Sequence, residues 1–185
     1  GHDFPDVTLV GVISADVGLF VPDFRAAERT FQLLHQVAGR AGRGAKPGTV
    51  VIQTSCPENY AIAAAAANDY ERFVQQELAF RRVAGYPPYS RLVRVVFEAR
   101  RESEAKDAGV ALREDLRDLD DVDVLGPAQA ILAKVQDRFR VHLLLKCFTP
   151  DSFQDAMRRL VDVEDRSTHT LRVTLDDARL GQVDG

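Results

Sequence analysis

Several features that would assign a protein class at once are scarce or absent in this sequence. It contains no tryptophan, one methionine and only two cysteines, Cys56 and Cys147, which lie far apart along the chain. Two distant thiols, with no secretory leader before them, predict reduced cysteines in a cytosol rather than a disulfide. No apolar run approaches the roughly 20 residues that are needed to cross a bilayer. We therefore expect a soluble, cytoplasmic protein that does not contact a membrane.

The sequence also lacks an excess of positive charge. The formal net charge is −4, with 8 basic and 9 acidic residues up to Ser90, and 16 basic and 19 acidic residues after it. A module that binds nucleic acid by charge alone shows a strong basic excess. Any contact with DNA must therefore depend on a local cluster of cations.

Two motifs that bind nucleotides and zinc are missing. The sequence contains neither a G-x-x-x-x-G-K-[ST] phosphate loop nor a C-x-x-C pair. The first motif cradles the phosphates of a nucleotide, and the second supplies thiolate ligands to zinc. His2 has no cysteine or histidine nearby at a ligand spacing, so we expect no metal site. The chain alone is expected not to hydrolyse ATP.

An arginine motif is the most informative feature that is present. A predicted helix ends in the segment 36–43, with the sequence QVAGRAGR. At about 100° per residue, Gln36, Arg40 and Arg43 fall within about 60° of one another. Two guanidiniums one turn apart can grip a phosphate, and Gly39 lets a nucleotide come close. The alternative is the solvated end of an amphipathic helix, terminated by glycines. The opposite side of the predicted helix is apolar: Ala27, Phe31, Leu34 and Ala38.

The first ninety residues predict an α/β order of elements. The apolar run from Val7 to Ser14 predicts a buried, parallel strand, and Asp23 is a candidate N-cap for the arginine helix. A strand over 49–54 and helices over 60–68 and 69–83 follow.

The segment 85–89, Gly-Tyr-Pro-Pro-Tyr, cannot continue a helix, because two prolines fix the backbone and remove hydrogen-bond donors. It predicts either a rigid interdomain turn that packs its tyrosines or a platform on which bases stack.

The rest of the chain predicts the order strand, helix, strand, strand, helix, strand. The predicted elements are a half-buried strand over 92–99, a helix over 102–119, a strand of 122–125 and 131–135 with a Gly-Pro break, a strand over 139–146, a helix over 153–161 and a strand over 170–175. This order fits a small α+β sandwich of the split βαβ kind, with its helices on one sheet face.

Cations cluster on the predicted hairpin of that sandwich. Lys134, Arg138, Arg140 and Lys146 are candidates for contact with phosphates of DNA. The alternative is a solvated hairpin face balanced by Asp137, because Lys and Arg are common at exposed strand positions.

Specific segments relate the chain to a known family. They are GHDFP at 1–5, VTLVGV at 7–12, AD at 15–16, PDFRAAERTFQLL at 22–34, QVAGRAGR at 36–43, YAI at 60–62, ELAFRR at 77–82, GYPPYSR at 85–91 and LGPA at 125–128. In these segments the chain resembles the PriA family, the primosomal protein N′ helicases of replication restart. The resemblance is dense up to Arg91 and thinner beyond it.

The resemblance implies a fold and a division into domains. The family is similar to superfamily 2 helicases, which hydrolyse ATP and, in this case, unwind DNA from 3′ to 5′. Residues 1–57 would be the C-terminal part of a RecA-like second helicase lobe that carries motifs V and VI. Residues 58–90 would be connecting helices and a junction, residues 91–178 an α+β, S10-like DNA-binding domain, and residues 179–185 a tail.

The resemblance also implies sites and partners. Arg40 and Arg43 would face the triphosphate as catalytic residues, and Arg140 would match the basic hairpin of the family. ATP and magnesium would be bound mainly by a lobe that is missing here, and the zinc ligands of the family are absent. Forked or single-stranded DNA, primosome proteins and single-strand-binding proteins would be partners in a bacterial, nucleoid-associated cytoplasmic protein. The implied nucleotide-binding residues are Gln36, Gly39, Arg40, Arg43, Gly1 and Asp3.

Two functions therefore remain open at the level of sequence. The first is a fragment of a helicase that recognises and remodels stalled replication forks for primosome assembly. The second is a stand-alone nucleic-acid or protein interaction module without motor activity, in which the arginine helix contacts a phosphate backbone.

Overall fold

The computed structural model describes residues 7–39, 41, 48–135, 137–166 and 170–176. The chain forms two compact units, Gly1–Phe80 and Arg81–Gly185, here called unit 1 and unit 2. Within the described ranges, no helix is both long and apolar enough to cross a membrane.

Unit 1 contains a small parallel sheet flanked by helices. Leu9 pairs with Thr49 and Val12 pairs with Ile52 in parallel register, as predicted. The prediction of a buried strand is wrong, because residues of β1 alternate between exposed and half-buried. The described sheet has only two strands and its helices shield part of it. Its elements are β1 (Leu9–Val12), a 3-10 helix (Ala15–Phe20), α1 (Ala26–Ala38), β2 (Thr49–Ile52), α2 (Tyr60–Ala66) and the start of α3 (Tyr70–Ala84).

The core of unit 1 lies among its three α-helices. The rings of Phe31 and Phe73 stack with centroids 4.1 Å apart, and Leu34 and Ile62 are buried beside them. The alanines of α2 have short side chains, which allow α2 to approach α1 closely. The apolar side of the arginine helix is therefore a packing surface, as its periodicity predicts.

The start of α1 differs from the prediction. The helix begins at Ala26, with Arg25 at the N-cap position and no side-chain cap. Asp23 instead accepts a hydrogen bond from the backbone N–H of Arg25 at 2.9 Å and forms an ion pair with Arg29 at 2.8 Å. Asp23 thus stabilises the turn before the helix, and its prediction as the N-cap is wrong.

Unit 2 is a four-stranded sheet with two helices. The strand order is β4-β5-β3-β6, and each neighbouring pair is antiparallel. This is the predicted split βαβ order of a small α+β domain. Its elements are β3 (Arg91–Ala99), α4 (Glu102–Asp115), β4 (Val122–Val135), β5 (Arg138–Cys147), α5 (Pro150–Arg166) and β6 (Thr170–Asp176).

The helices α4 and α5 cover one face of this sheet. Phe97, Leu143, Leu112 and Leu160 are among the buried side chains of the core. The strand β3 is not half-buried as predicted, because Leu92 and Val96 on its other face are also buried. A central strand has neighbours on both sides, and their side chains shield positions that alternation alone assigns to solvent.

The predicted break at Gly126-Pro127 is a bulge inside one long strand. The register between β4 and β5 shifts between Leu125 and Ala128 without ending β4. Gly126 has φ of +103°, and a Cβ there would lie 2.8 Å from the carbonyl oxygen of His142. The bulge therefore requires glycine at this position.

Candidate nucleic-acid interface

The face of the unit 2 sheet that lies opposite its helices carries a set of polar side chains. Val93, Val95 and Phe97 belong to the core under the helices, so Arg94 and Glu98 point to the other face. Here this set is called the polar face. Its members are Arg94, Glu98, Arg140, His142 and Arg172.

Glu98 lies between two arginines of the polar face. Its carboxylate contacts Nε of Arg140 at 3.0 Å and Nε of Arg172 at 3.7 Å. The Nε atom of Arg140 is buried and makes no hydrogen bond within the described part of the chain, so this contact is purely electrostatic. The side chain of Arg140 is 23% exposed and that of Arg172 is 64% exposed. Arg172 thus presents most of its side chain to solvent.

The electrostatics of the polar face also affect its histidine. Burial, and secondly the positive charge of Arg94, lower the pKa of His142 below its ordinary value. The imidazole is therefore neutral at neutral pH and adds no positive charge to the polar face.

The structure places the predicted hairpin cations next to the turn between β4 and β5. Asp137 forms this turn with φ of 60°, and Arg138 follows it with an exposed side chain. Lys134 pairs with Phe139 through the backbone, while its side chain lies outside the described part of the structure. Arg138 and Arg140 are two residues apart on β5 and so share one sheet face.

Lys146 does not belong to this cluster, which corrects the prediction. It is 9% exposed, and its ammonium donates a hydrogen bond to the backbone oxygen of Ala84 at 2.6 Å. The same group lies 4.3 Å from the ring centroid of Tyr86. The cation is engaged by the segment that precedes β3, which sequence spacing does not reveal.

The two tyrosines of the 85–89 segment are covered by cations. Lys146 lies over Tyr86, and Arg82 lies over Tyr89 at 5.0 Å. The hydroxyl of Ser90 donates to the backbone oxygen of Gly85 at 2.8 Å. These contacts favour a rigid, packed turn over a platform for bases.

Unit 1 contains the described part of the predicted nucleotide site. Gln36 is exposed on the side of α1 opposite Phe31 and Leu34. Gly39 has φ of −67°, and a Cβ there would meet the backbone of α1 at an ordinary 3.6 Å. The helix itself therefore does not require glycine at position 39. Gly1, Asp3, Arg40 and Arg43 lie outside the described residues, so their assigned roles remain predictions.

Asp16 is a structural contact of unit 1 that the residue patterns did not reveal. Its carboxylate accepts hydrogen bonds from the hydroxyl of Ser55 at 2.7 Å and from its backbone N–H at 3.2 Å. The hydrogen bonds of Ser55 and then of Thr54 lower the pKa of Asp16 to about 2. They tie together the segments that follow the parallel strands β1 and β2. Ligands of α/β sheets bind at the edge formed by the carboxyl ends of the strands. The strand order of the sequence could therefore have indicated that a polar residue following β1 was worth singling out.

The described residues show no group of three or more His, Cys, Asp or Glu side chains arranged to hold a metal ion.

Comparison with known proteins relates both units to one family. The family model "Primosomal protein N C-terminal domain" matches residues 82–178. Replication restart protein PriA of Bacillus subtilis (strain 168) is 46% identical over 151 residues, which is 79% of this chain and 18% of that protein. The PriA of Treponema pallidum is 43% identical over 164 residues, 88% of this chain and 25% of that protein. The PriA of Borreliella burgdorferi is 35% identical over 146 residues, 78% of this chain and 22% of that protein.

These alignments are longer than unit 2, so they extend into unit 1. The chain spans about a fifth to a quarter of the length of these relatives. Among solved structures, the de novo designed protein Foldit4 matches 49% of this chain and 99% of its own, with 15% identity and a TM-score of 0.39, which is too low to support an argument.

Proposed function

The chain belongs to the PriA family, and we propose that it is the C-terminal part of an ATP-dependent superfamily 2 DNA helicase of replication restart. The proposal rests on the match of residues 82–178 to the family model together with identities of 35–46% to replication restart proteins. In this function the chain helps to recognise and remodel stalled forks in the bacterial cytoplasm, where primosome and single-strand-binding proteins are its partners.

Unit 2 supplies the contact with DNA in this proposal. The exposed Arg138 and its neighbour Arg140 lie beside the hairpin turn, and Lys134 belongs to the opposing strand. Guanidiniums bind phosphate oxygens through paired donors and remain charged at every working pH. Such contacts position a strand of forked or single-stranded DNA and carry no sequence preference.

Unit 1 supplies part of a nucleotide site in the same proposal, as the end of a RecA-like lobe. Arg40 and Arg43 neutralise charge on the triphosphate as it is hydrolysed, and Gln36 couples the nucleotide to closure of the lobe. Gly1 and Asp3 contribute to nucleotide binding, with Asp3 orienting the ribose or an arginine. The exposed Gln36 and the sterically unconstrained Gly39 fit a surface that a nucleotide approaches. ATP with magnesium supplies the free energy for strand separation, and residues outside this sequence hold most of both.

The experiment that tests the proposal measures fluorescence-anisotropy binding of the 185-residue chain to forked, single-stranded and duplex oligonucleotides across a salt series. We expect salt-sensitive binding that is tightest for the fork. Arg138→Glu should weaken it, whereas Arg158→Glu should not, because the 72% exposed Arg158 pairs with Asp155 on α5. Absence of binding at low salt would contradict the assignment of DNA contact to unit 2.

A further inference from the structure

We infer that Arg94 and Arg172 extend the hairpin cations into a track that binds the phosphates of a single-stranded nucleic acid across the polar face. This inference rests on the proposed function, in which unit 2 contacts DNA, and it adds residues that the hairpin does not include.

The register of the sheet places these side chains at regular intervals. Val96 of β3 is paired with His142 on one side and Arg172 on the other. Glu98, one same-face step along β3 from Val96, is paired with Arg140, and Arg94 lies one same-face step from Val96 in the other direction. Neighbouring strands are about 4.8 Å apart, and same-face positions along one strand are about 7 Å apart. Extended arginines at such spacings can therefore contact successive phosphates of one strand.

The charge of the polar face differs from that of the whole chain. Three arginines share this side of the sheet with two acidic residues, Glu98 and, at the end of β6, Asp176, although acidic residues outnumber basic ones after Ser90 by 19 to 16. The acidic residues are concentrated elsewhere, since six of the ten residues in the segment 114–123 are Asp or Glu. A field that attracts anions is thus local to this face and is hidden in the overall composition.

The chemistry of the face selects phosphates rather than bases. The described side chains at the register positions of Arg94, Val96 and Glu98 are Arg, Glu, Leu, Val, Thr and a neutral His, none of which offers the broad aromatic ring on which bases stack. Stacking supplies about 1–3 kcal/mol per base in single-strand-binding proteins that use it. Binding at the polar face should therefore be independent of sequence and strongly dependent on salt.

Glu98 acts in this arrangement as a positioning residue. Its side chain is 12% exposed, and its carboxylate lies 3.0 Å from Arg140 and 3.7 Å from the more exposed Arg172. A phosphate that approaches Arg172 competes with this carboxylate for the same guanidinium. Removing the negative charge of Glu98 should therefore strengthen binding, whereas a merely structural role would weaken or not change it.

The test measures binding of the 185-residue chain to fluorescein-labelled oligothymidylate across a salt series. The double variant Arg94→Ala/Arg172→Ala should lower the slope of log K against log salt by about 1.4, because each lost single-strand phosphate contact removes about 0.7. The control is Arg117→Ala/Arg158→Ala, which removes two exposed arginines associated with α4 and α5. It should leave the slope unchanged. Glu98→Gln should bind several-fold more tightly, and far-UV circular dichroism should show that every variant is folded.

Three other outcomes would contradict the inference, and they distinguish its failure from the failure of the proposed function. If the double variant keeps the wild-type slope while Arg138→Glu loses affinity, the polar face is not part of the site and the proposed function stands. If polyglutamate competes as well as unlabelled oligothymidylate, the face attracts anions in general and has no nucleic-acid site. If the wild-type chain does not bind DNA at all, both proposals fail.

Discussion

Unit 1 and unit 2 differ in how completely each covers its sheet. In unit 1, Leu9 and Val51 of the two-stranded parallel sheet are 64% and 56% exposed, although parallel sheets are usually buried on both faces. In unit 2, the helices shield one face and even Leu92 and Val96 on the other face are buried. The arginine motif at 36–43, the most informative motif of the sequence, thus belongs to unit 1, whose sheet is the less enclosed of the two. Under the proposed function, unit 1 is stabilised by further polypeptide of the motor, whereas unit 2 encloses its own core.

We expect the largest effect on ATP turnover, which the proposal assigns to unit 1, with little effect on DNA affinity, which it assigns to unit 2. In a full-length helicase that carries this chain, Arg40→Ala should reduce ATP turnover by about 10³ or more, as loss of an arginine finger does. Its DNA affinity should change by only a few-fold. Steady-state ATPase assays and anisotropy measure the two quantities.

The matched control is Arg29→Ala in α1, because Arg29 pairs with Asp23 and is 58% exposed. This control should retain turnover. Normal hydrolysis in the Arg40 variant would remove the catalytic assignment from unit 1.

We expect a smaller effect, on the free energy of unfolding, when a strand glycine is replaced in each unit. Gly126→Ala should lower the free energy of unfolding by about 1–3 kcal/mol, because φ of +103° is strained for any residue with a Cβ. Gly11→Ala in β1 should be neutral or slightly stabilising, since a Cβ there meets nothing within 4 Å. Urea denaturation of both variants measures the difference, and equal stability of the two would show that the bulge does not need glycine.

We expect the smallest effect on the pKa of Asp16 in unit 1, which is compared with the pKa of Asp118 in unit 2. Ser55→Ala should raise the pKa of Asp16 from about 2 toward 3.8, because it removes the hydroxyl donor. The pKa of Asp118, which Arg159 lowers through a hydrogen bond, should not change. Carbon-13 NMR titration of both carboxyl groups measures these values.

The sign of the corresponding stability effect follows from the depressed pKa of Asp16. The stabilisation is present above about pH 4 and is lost as the pH falls through about 2. A wild-type pKa of Asp16 near 3.8 would show that Ser55 does not hold the segment after β1.

Periodicity predicted the order of elements in both units, because alternation and the helical repeat are local properties. It failed where long-range pairing decides the outcome. Leu92 and Val96 are buried because β3 pairs on both sides, and Lys146 is buried because its ammonium reaches Ala84.

In the candidate site, too, the sequence predicted what depends on local patterns and missed what depends on long-range pairing. Arg138 and Arg140 could be selected from the hairpin pattern, since both follow one predicted turn. The positions of Arg94 and Arg172 beside them depend on the pairing of β3 with β6, which joins residues far apart in sequence. Gln36 was placed correctly on the exposed side of α1 because the helical repeat alone determines that side.

The most direct test of the account maps the DNA-binding surface of the chain. Nitrogen-15-labelled chain is titrated with unlabelled oligothymidylate, and the amide shifts are followed by NMR. We expect the perturbed amides to belong to the polar face and the adjoining hairpin, from Arg94 through Arg140 to Arg172. Perturbation confined to α4 and α5, or no perturbation at low salt, would contradict it.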